Sequence, residues 1–292
     1  KNHDEVVVFY LYKKSLYQNQ EAQKWWLSKS LLSFKKKLSS FNINLEIIKT
    51  DSFQIFFDKL LLKENISIYW NKVYEPDYLK FDEYLSQNLI RKEIPYKICK
   101  GNVLNEIGEI KKSDGTPFKV FTPFWRNAEK YNIEKIPLKE KIIKKCLRKN
   151  FFFQECIDYN EILPKKAWFK NFEKIWLPSE ENALKELRNF IKNRISNYSD
   201  GRNFPNKLGT SKLSPFIKHG QIHVETIWNE CNNNRKKTIG TSKFLAEIGW
   251  REFNHTLINF FPHMLKNNYS KKFDNFPWEK NVKFLFAWKK GL

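Results

Sequence analysis

The chain has 292 residues, of which 41% are hydrophobic and 29% charged; these proportions exclude an intrinsically disordered chain and allow two domains with separate cores. A formal net charge of +21 favours a polyanionic partner such as nucleic acid. Because only eight of the basic residues are Arg and the excess charge is spread along the chain, a merely basic surface stays open as the alternative.

Neither a membrane span nor a disulfide framework is predicted. No apolar run is long enough to cross a bilayer, and the N-terminal stretch "KNHDEVVVFYLY" lacks the pattern of a signal peptide. The four Cys residues have neither metal-ligand nor redox spacing. We therefore expect a cytoplasmic monomer without a membrane partner.

The first part of the chain alternates between strand and helix patterns. Short β-rich apolar runs predict strands at Glu5–Tyr12, Asn44–Thr50 and Ile66–Asn71 and in "PYKICK". Apolar residues at helical spacing predict helices in "EAQKWWLSKSLLSFKKKLSSF", "SFQIFFDKLLLKEN" and "YEPDYLKFDEYLSQNLIRKE". Such alternation indicates an α/β domain with a parallel sheet and helices on both faces.

The pattern changes after an aromatic-rich segment at Asp114–Tyr131, which we place at the end of the first domain. The stretch that follows has weak periodicity, whereas helical periodicity dominates from about residue 176. Pro178 and Ser179 are start signals for that part, with Ser179 a candidate N-cap. The predicted organisation is an α/β domain at 1–125, an inter-domain connection at 126–175 and an all-α domain at 176–292.

One candidate binding motif is "GTSKLSP", which places hydroxyls and an ammonium group just before a predicted helix. Ser214 can cap this helix and Pro215 suits its first turn. Free backbone N–H groups with hydroxyls and a Lys can hold a phosphate group. An ordinary capped helix start explains the same pattern and is the more common case.

A second candidate lies on the apolar helix "KFLAEIGWREFNHTLINFF", where Glu247, Trp250, Arg251 and Asn254 recur at i, i+3, i+4 and i+7. This spacing brings a carboxylate, an indole, a guanidinium and an amide to one side of the helix. The row predicts either the wall of a pocket or a solvated face carrying a surface ion pair. The scattered His residues offer no third ligand, so no metal site is predicted.

Several motifs together carry a resemblance to a known family. In the helical part they are "GTSKLSPFIKHGQI", "FLAEIGWREFNHTLINFFPHM" and "FPWEKNVKFLFAWKKGL", and in the first part "WWL", "YWNKVYEP" and "GTPFKVFTPFWR". In these motifs the chain resembles the DNA photolyase/cryptochrome family, and most closely the class I cyclobutane pyrimidine dimer photolyases of bacteria. The resemblance spans nearly the whole chain.

This resemblance implies a Rossmann-like α/β domain whose first strand is missing from the chain, followed by an all-α domain that binds FAD and is truncated. A piece of this extent is expected to hold FAD poorly on its own. The positions that match flavin-contacting residues of the family are Tyr198, Thr210, Ser211, Lys212, Leu213, Ser214 and Phe244, the last standing where many members have Trp. An antenna pigment, either a folate or a deazaflavin, is possible but stays unassigned.

The resemblance also implies contacts to damaged DNA. Arg202 matches a contact to the DNA backbone, and Glu247, Trp250, Arg251 and Asn254 match the wall that faces an extruded lesion. Trp250 is expected to stack on the extruded bases, and Glu247, in an apolar setting, to hydrogen-bond a thymine carbonyl. Trp278 matches the solvent-side member of the tryptophan chain that photoreduces the flavin.

The function implied is the light-driven repair of cyclobutane pyrimidine dimers by electron transfer from excited reduced FAD, which is the reaction of a deoxyribodipyrimidine photo-lyase. The first alternative is a cryptochrome-type blue-light photoreceptor with the same fold and flavin. A second is a basic nucleic-acid binder without flavin, in which the motifs serve only packing. A (6-4) photoproduct stays open as the substrate.

Overall fold

The computed structural model describes residues 6–131, 155–233 and 238–292. Its strands are β1 (Val8–Tyr12), β2 (Leu45–Lys49), β3 (Ile68–Asn71) and β4 (Tyr96–Cys99). β1 pairs with β2 and β3 pairs with β4, both in parallel. The predicted parallel pairing is confirmed, although the described strands form two separate two-stranded ladders rather than one continuous sheet.

Four helices accompany these strands, and they are α1 (Glu21–Ser39), α2 (Phe53–Leu60), α3 (Pro76–Arg91) and α4 (Phe121–Ala128). The hydroxyl of Ser52 accepts a hydrogen bond from the Ile55 amide and so caps α2. α3 begins at Pro76, a residue that suits the first turn because it has no amide hydrogen to leave unsatisfied.

The second part of the chain is helical throughout its described residues. Its helices are α5 (Lys170–Ile175), α6 (Glu180–Asn193), α7 (Tyr198–Gly201), α8 (Ser214–Lys218), α9 (Val224–Asn233), α10 (Ile239–Phe260) and α11 (Val282–Lys290). The predicted N-cap Ser179 is confirmed, since its hydroxyl accepts from the Asn182 amide at 3.1 Å. Among the described helices, none is both long enough and apolar enough to cross a bilayer.

The segment predicted as an inter-domain connection, 126–175, lies partly outside the described residues, which resume at 155. In its described part, Cys156 forms an antiparallel bridge with Ile48 of β2. A 3₁₀ turn at Tyr159–Ile162 follows and buries Ile162 among residues of α1 and the first strand pair. This part of the connection is therefore attached to the α/β layer, while the division into domains stays a prediction.

The helical core extends into the first part of the chain. Trp25 and Trp26 of α1 are buried in the same cluster as Phe190 of α6 and Phe244 of α10. The Trp26 indole N–H also donates to the Gln221 side-chain oxygen at 2.9 Å, which satisfies a buried polar group on each side. The two parts of the chain thus share one apolar core.

The aromatic segment that we placed at the end of the first domain packs against α10. Phe124 of α4 is buried beside Phe253 and Leu257. Trp125 lies directly on Gly249, where an added Cβ would come within 2.3 Å of the indole ring. Glycine at this position therefore allows the close approach of α4 to the middle of α10.

Candidate functional site

A cavity of about 950 Å³ lies between the two parts of the chain. The helical part contributes Tyr198, Ser211, Ser214, Phe244, Glu247 and Arg251 to its wall. The opposite wall comes from the first part and includes Tyr10, Tyr17, Phe53 and Tyr78. The space has the size and the mixed apolar and polar lining of a ligand site.

Four of the residues predicted to contact a flavin meet at this cavity. Tyr198 and Phe244 are buried and form an edge-on aromatic pair, with ring centroids 5.3 Å apart and an angle of 82° between the planes. Ser211 and Ser214 add hydroxyl groups to the same wall. The arrangement combines flat apolar surfaces with hydrogen-bonding groups, as a ring-bearing polar ligand requires.

The other predicted members of the "GTSKLSP" loop point elsewhere. Lys212 adopts a positive φ of 55°, and its ammonium lies 5.9 Å from the ring centroid of Trp176. Leu213 is buried in the helical core, and Thr210 is exposed. None of these three residues is among the described residues that line the cavity.

The expected capping role of Ser214 is wrong. Leu213 is the N-cap of α8, and no side chain caps this five-residue helix. The hydroxyl of Ser211 instead accepts from the Leu213 amide at 3.3 Å. Lys212, in the left-handed region, lies between Ser211 and the helix start, and both Ser211 and Ser214 line the cavity.

Glu247 lies on the cavity wall in a short hydrogen-bonded ion pair with Arg202. The guanidinium of Arg202 also lies over the Tyr198 ring, 5.5 Å from its centroid. The Glu247 hydrogen bond raises the pKa of Arg202 above its ordinary value. The apolar setting expected for Glu247 is therefore wrong, and two residues predicted to contact DNA are partners of each other.

Arg251 lies on the same wall, deeper in the protein. Its Nη1 donates to the backbone oxygen of Asn102 at 2.6 Å and to Oε1 of Glu252 at 3.2 Å. Burial lowers the pKa of Arg251, and burial raises that of Glu252 to about 7. Burial also lowers the pKa of the adjacent His255 to about 4. A guanidinium held in this way presents its remaining N–H groups to the cavity.

Trp250 and Asn254 lie on the surface of α10 next to the cavity wall. Trp250 is 42% exposed, and its ring stacks on Phe121 of α4 with centroids 3.8 Å apart and 10° between the planes. Asn254 is exposed. Neither is among the described residues that line the cavity. The row predicted to form one wall is therefore split between the cavity and the neighbouring surface.

Trp278 is 72% exposed and packs against Phe276, with ring centroids 4.7 Å apart. Its place and role in an electron-transfer chain stay predictions. Among the described residues, no group of three or more His, Cys, Asp and Glu side chains is arranged to hold a metal ion.

The loop after β4 enters the helical part, a contact that was not predicted from the sequence. Asn102 donates to the backbone oxygens of Ile217 at 3.0 Å and Ile222 at 3.1 Å, and its side-chain oxygen accepts from the Val224 amide at 2.9 Å. Glu252 was missed as well, and its Oε2 accepts from the Leu104 amide at 2.8 Å. A Glu within the apolar stripe of the α10 sequence was the signal that could have revealed this contact.

Comparisons with known proteins agree with this architecture. Residues 1–141 match the family model described as DNA photolyase. A deoxyribodipyrimidine photo-lyase of Agrobacterium fabrum is 30% identical over 98% of this chain and 60% of its own length, and Cryptochrome-2 of Arabidopsis thaliana is 24% identical over 92% and 46%. The chain thus spans about 60% or less of the length of these relatives.

Solved structures show the same fold. A bacterial class III photolyase from Agrobacterium tumefaciens superimposes with a TM-score of 0.84 at 30% identity, covering 99% of this chain and 60% of its own. An archaeal photolyase from Sulfolobus tokodaii, described with two FAD molecules, gives a TM-score of 0.74 at 18% identity, covering 99% and 61%. The class I assignment stays a prediction. In sequence and in fold, the chain is similar to members of the DNA photolyase/cryptochrome family.

Proposed function

We propose that this protein repairs cyclobutane pyrimidine dimers in DNA by light-driven electron transfer from reduced FAD. One observation carries the proposal: Tyr198, Ser211, Ser214 and Phe244 line a single cavity together with Glu247. The first four of these match flavin-contacting positions of the family, and the last matches a contact to the lesion. Residues from distant parts of the sequence are thus gathered where a donor and a damaged base would have to meet.

The residues at the cavity fit FAD. Tyr198 and Phe244 offer ring surfaces for a flat aromatic group, and the serine hydroxyls offer hydrogen bonds. Arg251, which lies on the same wall, is a suitable partner for an anionic phosphate, so we assign it to the cofactor rather than to DNA. When bound, FAD supplies an electron donor that blue light excites.

The chain's own residues then bind and orient the damaged base. Trp250 presents an exposed indole on which an extruded base can stack. Arg202 is held by Glu247 in the free protein, and a DNA phosphate near its guanidinium competes with that carboxylate. When Arg202 binds the DNA backbone, Glu247 is free to accept a hydrogen bond from the N–H of a dimer base.

The test uses the native protein, purified and supplied with excess FAD and with a chemical reductant that keeps the flavin reduced. A single-stranded oligonucleotide with one cyclobutane thymine dimer is incubated in blue light or in the dark, and the dimer is quantified by chromatography. We expect dimer loss only in the light, and a decrease of about tenfold in its rate for Glu247→Gln, because the variant lacks a charged hydrogen-bonding group. Glu279→Gln, at an exposed position, is the matched control.

The other functions give different results in the same experiment. Photoreduction of bound flavin without loss of the dimer would favour the cryptochrome-type photoreceptor. Cryptochrome-2 of Arabidopsis thaliana is 24% identical to this chain. DNA binding without any flavin absorption would favour the basic binder. Loss of a (6-4) photoproduct and not of the cyclobutane dimer would change the substrate and keep the reaction class.

A further inference from the structure

Two aromatic rings from different parts of the chain are stacked at the surface. Phe121 of α4 lies parallel to Trp250 of α10, with centroids 3.8 Å apart and 10° between the planes. Phe121 is also nearly parallel to Trp125, at 6.2 Å and 10°. One face of the Trp250 ring is therefore covered by Phe121, while 42% of the residue remains exposed.

The position of Phe121 is fixed by the packing of α4 on α10. Trp125 lies against Gly249 so closely that no Cβ would fit between them. Phe124 packs on Phe253 with ring centroids 5.3 Å apart, and both are buried. Because α4 is held at these points, the backbone of Phe121 is fixed relative to α10.

A fixed neighbour changes what an exposed tryptophan can do. An unsupported indole on a helix surface moves between side-chain rotamers, and a base that stacks on it has to select one of them. Ordering a side chain on binding costs free energy, and a ring that is already held in place avoids that cost. Stacking on Phe121 restricts the Trp250 plane and leaves the opposite face for a ligand.

We propose that Phe121 is a positioning residue for nucleic-acid binding, which holds the plane of Trp250 for stacking on an extruded base. This inference rests on the proposed function, because it takes Trp250 as the residue that meets the base. It adds α4, and thus the first part of the chain, to a surface that the sequence motifs assign to Arg202 and α10. Phe121 acts through Trp250.

The experiment compares dark binding of two oligonucleotides to the native protein, one with a single thymine dimer and one of the same sequence without damage. The variants are Phe121→Leu, Phe121→Met and Phe121→Tyr, of which only the last keeps a ring. The matched control is Phe276→Leu, which removes an exposed Phe that contacts another exposed indole, Trp278, at 4.7 Å. The quantity measured is the ratio of the two dissociation constants.

We expect Phe121→Leu and Phe121→Met to lower the preference for the dimer about fivefold, with binding of undamaged DNA unchanged. This factor corresponds to the free energy of one aromatic pair. Phe121→Tyr and Phe276→Leu should keep the wild-type ratio. A merely structural role would weaken binding of both oligonucleotides together, and that result would overturn the inference, as would an unchanged ratio in Phe121→Leu and Phe121→Met. A wild-type protein without any preference for the dimer would overturn the proposed function itself, and the inference with it.

Discussion

Replacing Glu252 by Gln should change the pH dependence of stability in a calculable way. The Glu252 carboxylate is 4% exposed, and it accepts hydrogen bonds from the Leu104 amide at 2.8 Å and from Arg251 at 3.2 Å. Burial nevertheless outweighs these partners and raises the pKa of Glu252 from its ordinary 4.5 to about 7 in the folded protein. The folded state therefore holds this proton more tightly than the unfolded chain does.

The sign and size of the effect follow from this difference in pKa. Below pH 4.5 both states are protonated and the full stabilisation is present; it is lost as the pH rises towards the folded-state pKa of about 7. The whole effect on the free energy of unfolding is about 3 kcal/mol, of which about 2.5 kcal/mol lies between pH 5 and pH 8. The free energy of unfolding of the wild type minus that of Glu252→Gln should therefore be larger at pH 5 than at pH 8 by about 2.5 kcal/mol.

The comparison with the variant is needed because three described histidines act in the opposite direction. Burial lowers the pKa of His219 and of His255 to about 4 and also lowers that of His223, so the folded state binds their protons more weakly and stability rises with pH up to their ordinary 6.5. Both proteins carry these histidines, and their contribution cancels in the difference. Urea unfolding monitored by tryptophan fluorescence gives the difference in free energy of unfolding between wild type and variant at about pH 5 and again at about pH 8. Equal differences at both pH values would show that Glu252 is already ionised in the folded state, contrary to this reasoning.

Two further substitutions test the packing between the two parts of the chain, each by its urea midpoint. Gly249→Ala should destabilise the protein by about 2 kcal/mol, because its Cβ would meet Trp125 at 2.3 Å, whereas Ser242→Ala on the exposed side of the same helix should change little. Equal midpoints would mean that the indole can move aside. Asn102→Ala removes three part-buried hydrogen bonds and should cost about 3 kcal/mol. Asn127→Ala removes one exposed bond, and a loss as large as that of Asn102→Ala would contradict the anchoring role of the loop.

The local elements could be predicted because their signals are local. The run at Glu5–Tyr12 is apolar and β-branched, and β1 occupies Val8–Tyr12 within it. Apolar residues three and four apart predicted the helix that the structure shows at Ile239–Phe260. The pairing of strands was less predictable, because hydrogen bonds between distant segments decide whether ladders join into one sheet, and here β3 begins a second ladder.

The site was predicted in its composition more than in its geometry. Glu247 and Arg251 reach the cavity as expected. A helix turns by about 100° per residue, so Trp250 lies about 100° round the axis from Arg251. On a helix between a cavity and an aromatic neighbour, this angle is enough to place Trp250 outside the cavity. Asn254 lies only about 20° round the axis from Glu247 but nearly two turns further along the helix. The left-handed φ of Lys212 was equally hidden, because nothing in a Lys side chain indicates it.

The cavity depends on the contacts that join the two parts of the chain, since each part supplies one of its walls. The loop after β4 carries several of these contacts: Lys100 pairs with the buried Glu225, Asn102 binds backbone groups of the helical part, and the Leu104 amide is held by Glu252. Asn102 and Glu252 also hold Arg251, which lines the cavity. A substitution that loosens this loop should therefore weaken ligand binding as well as stability, even though the loop itself does not line the cavity. Asn102→Ala is the variant in which the two losses should appear together, and reduced stability with unchanged affinity for added FAD would show that the walls are held independently.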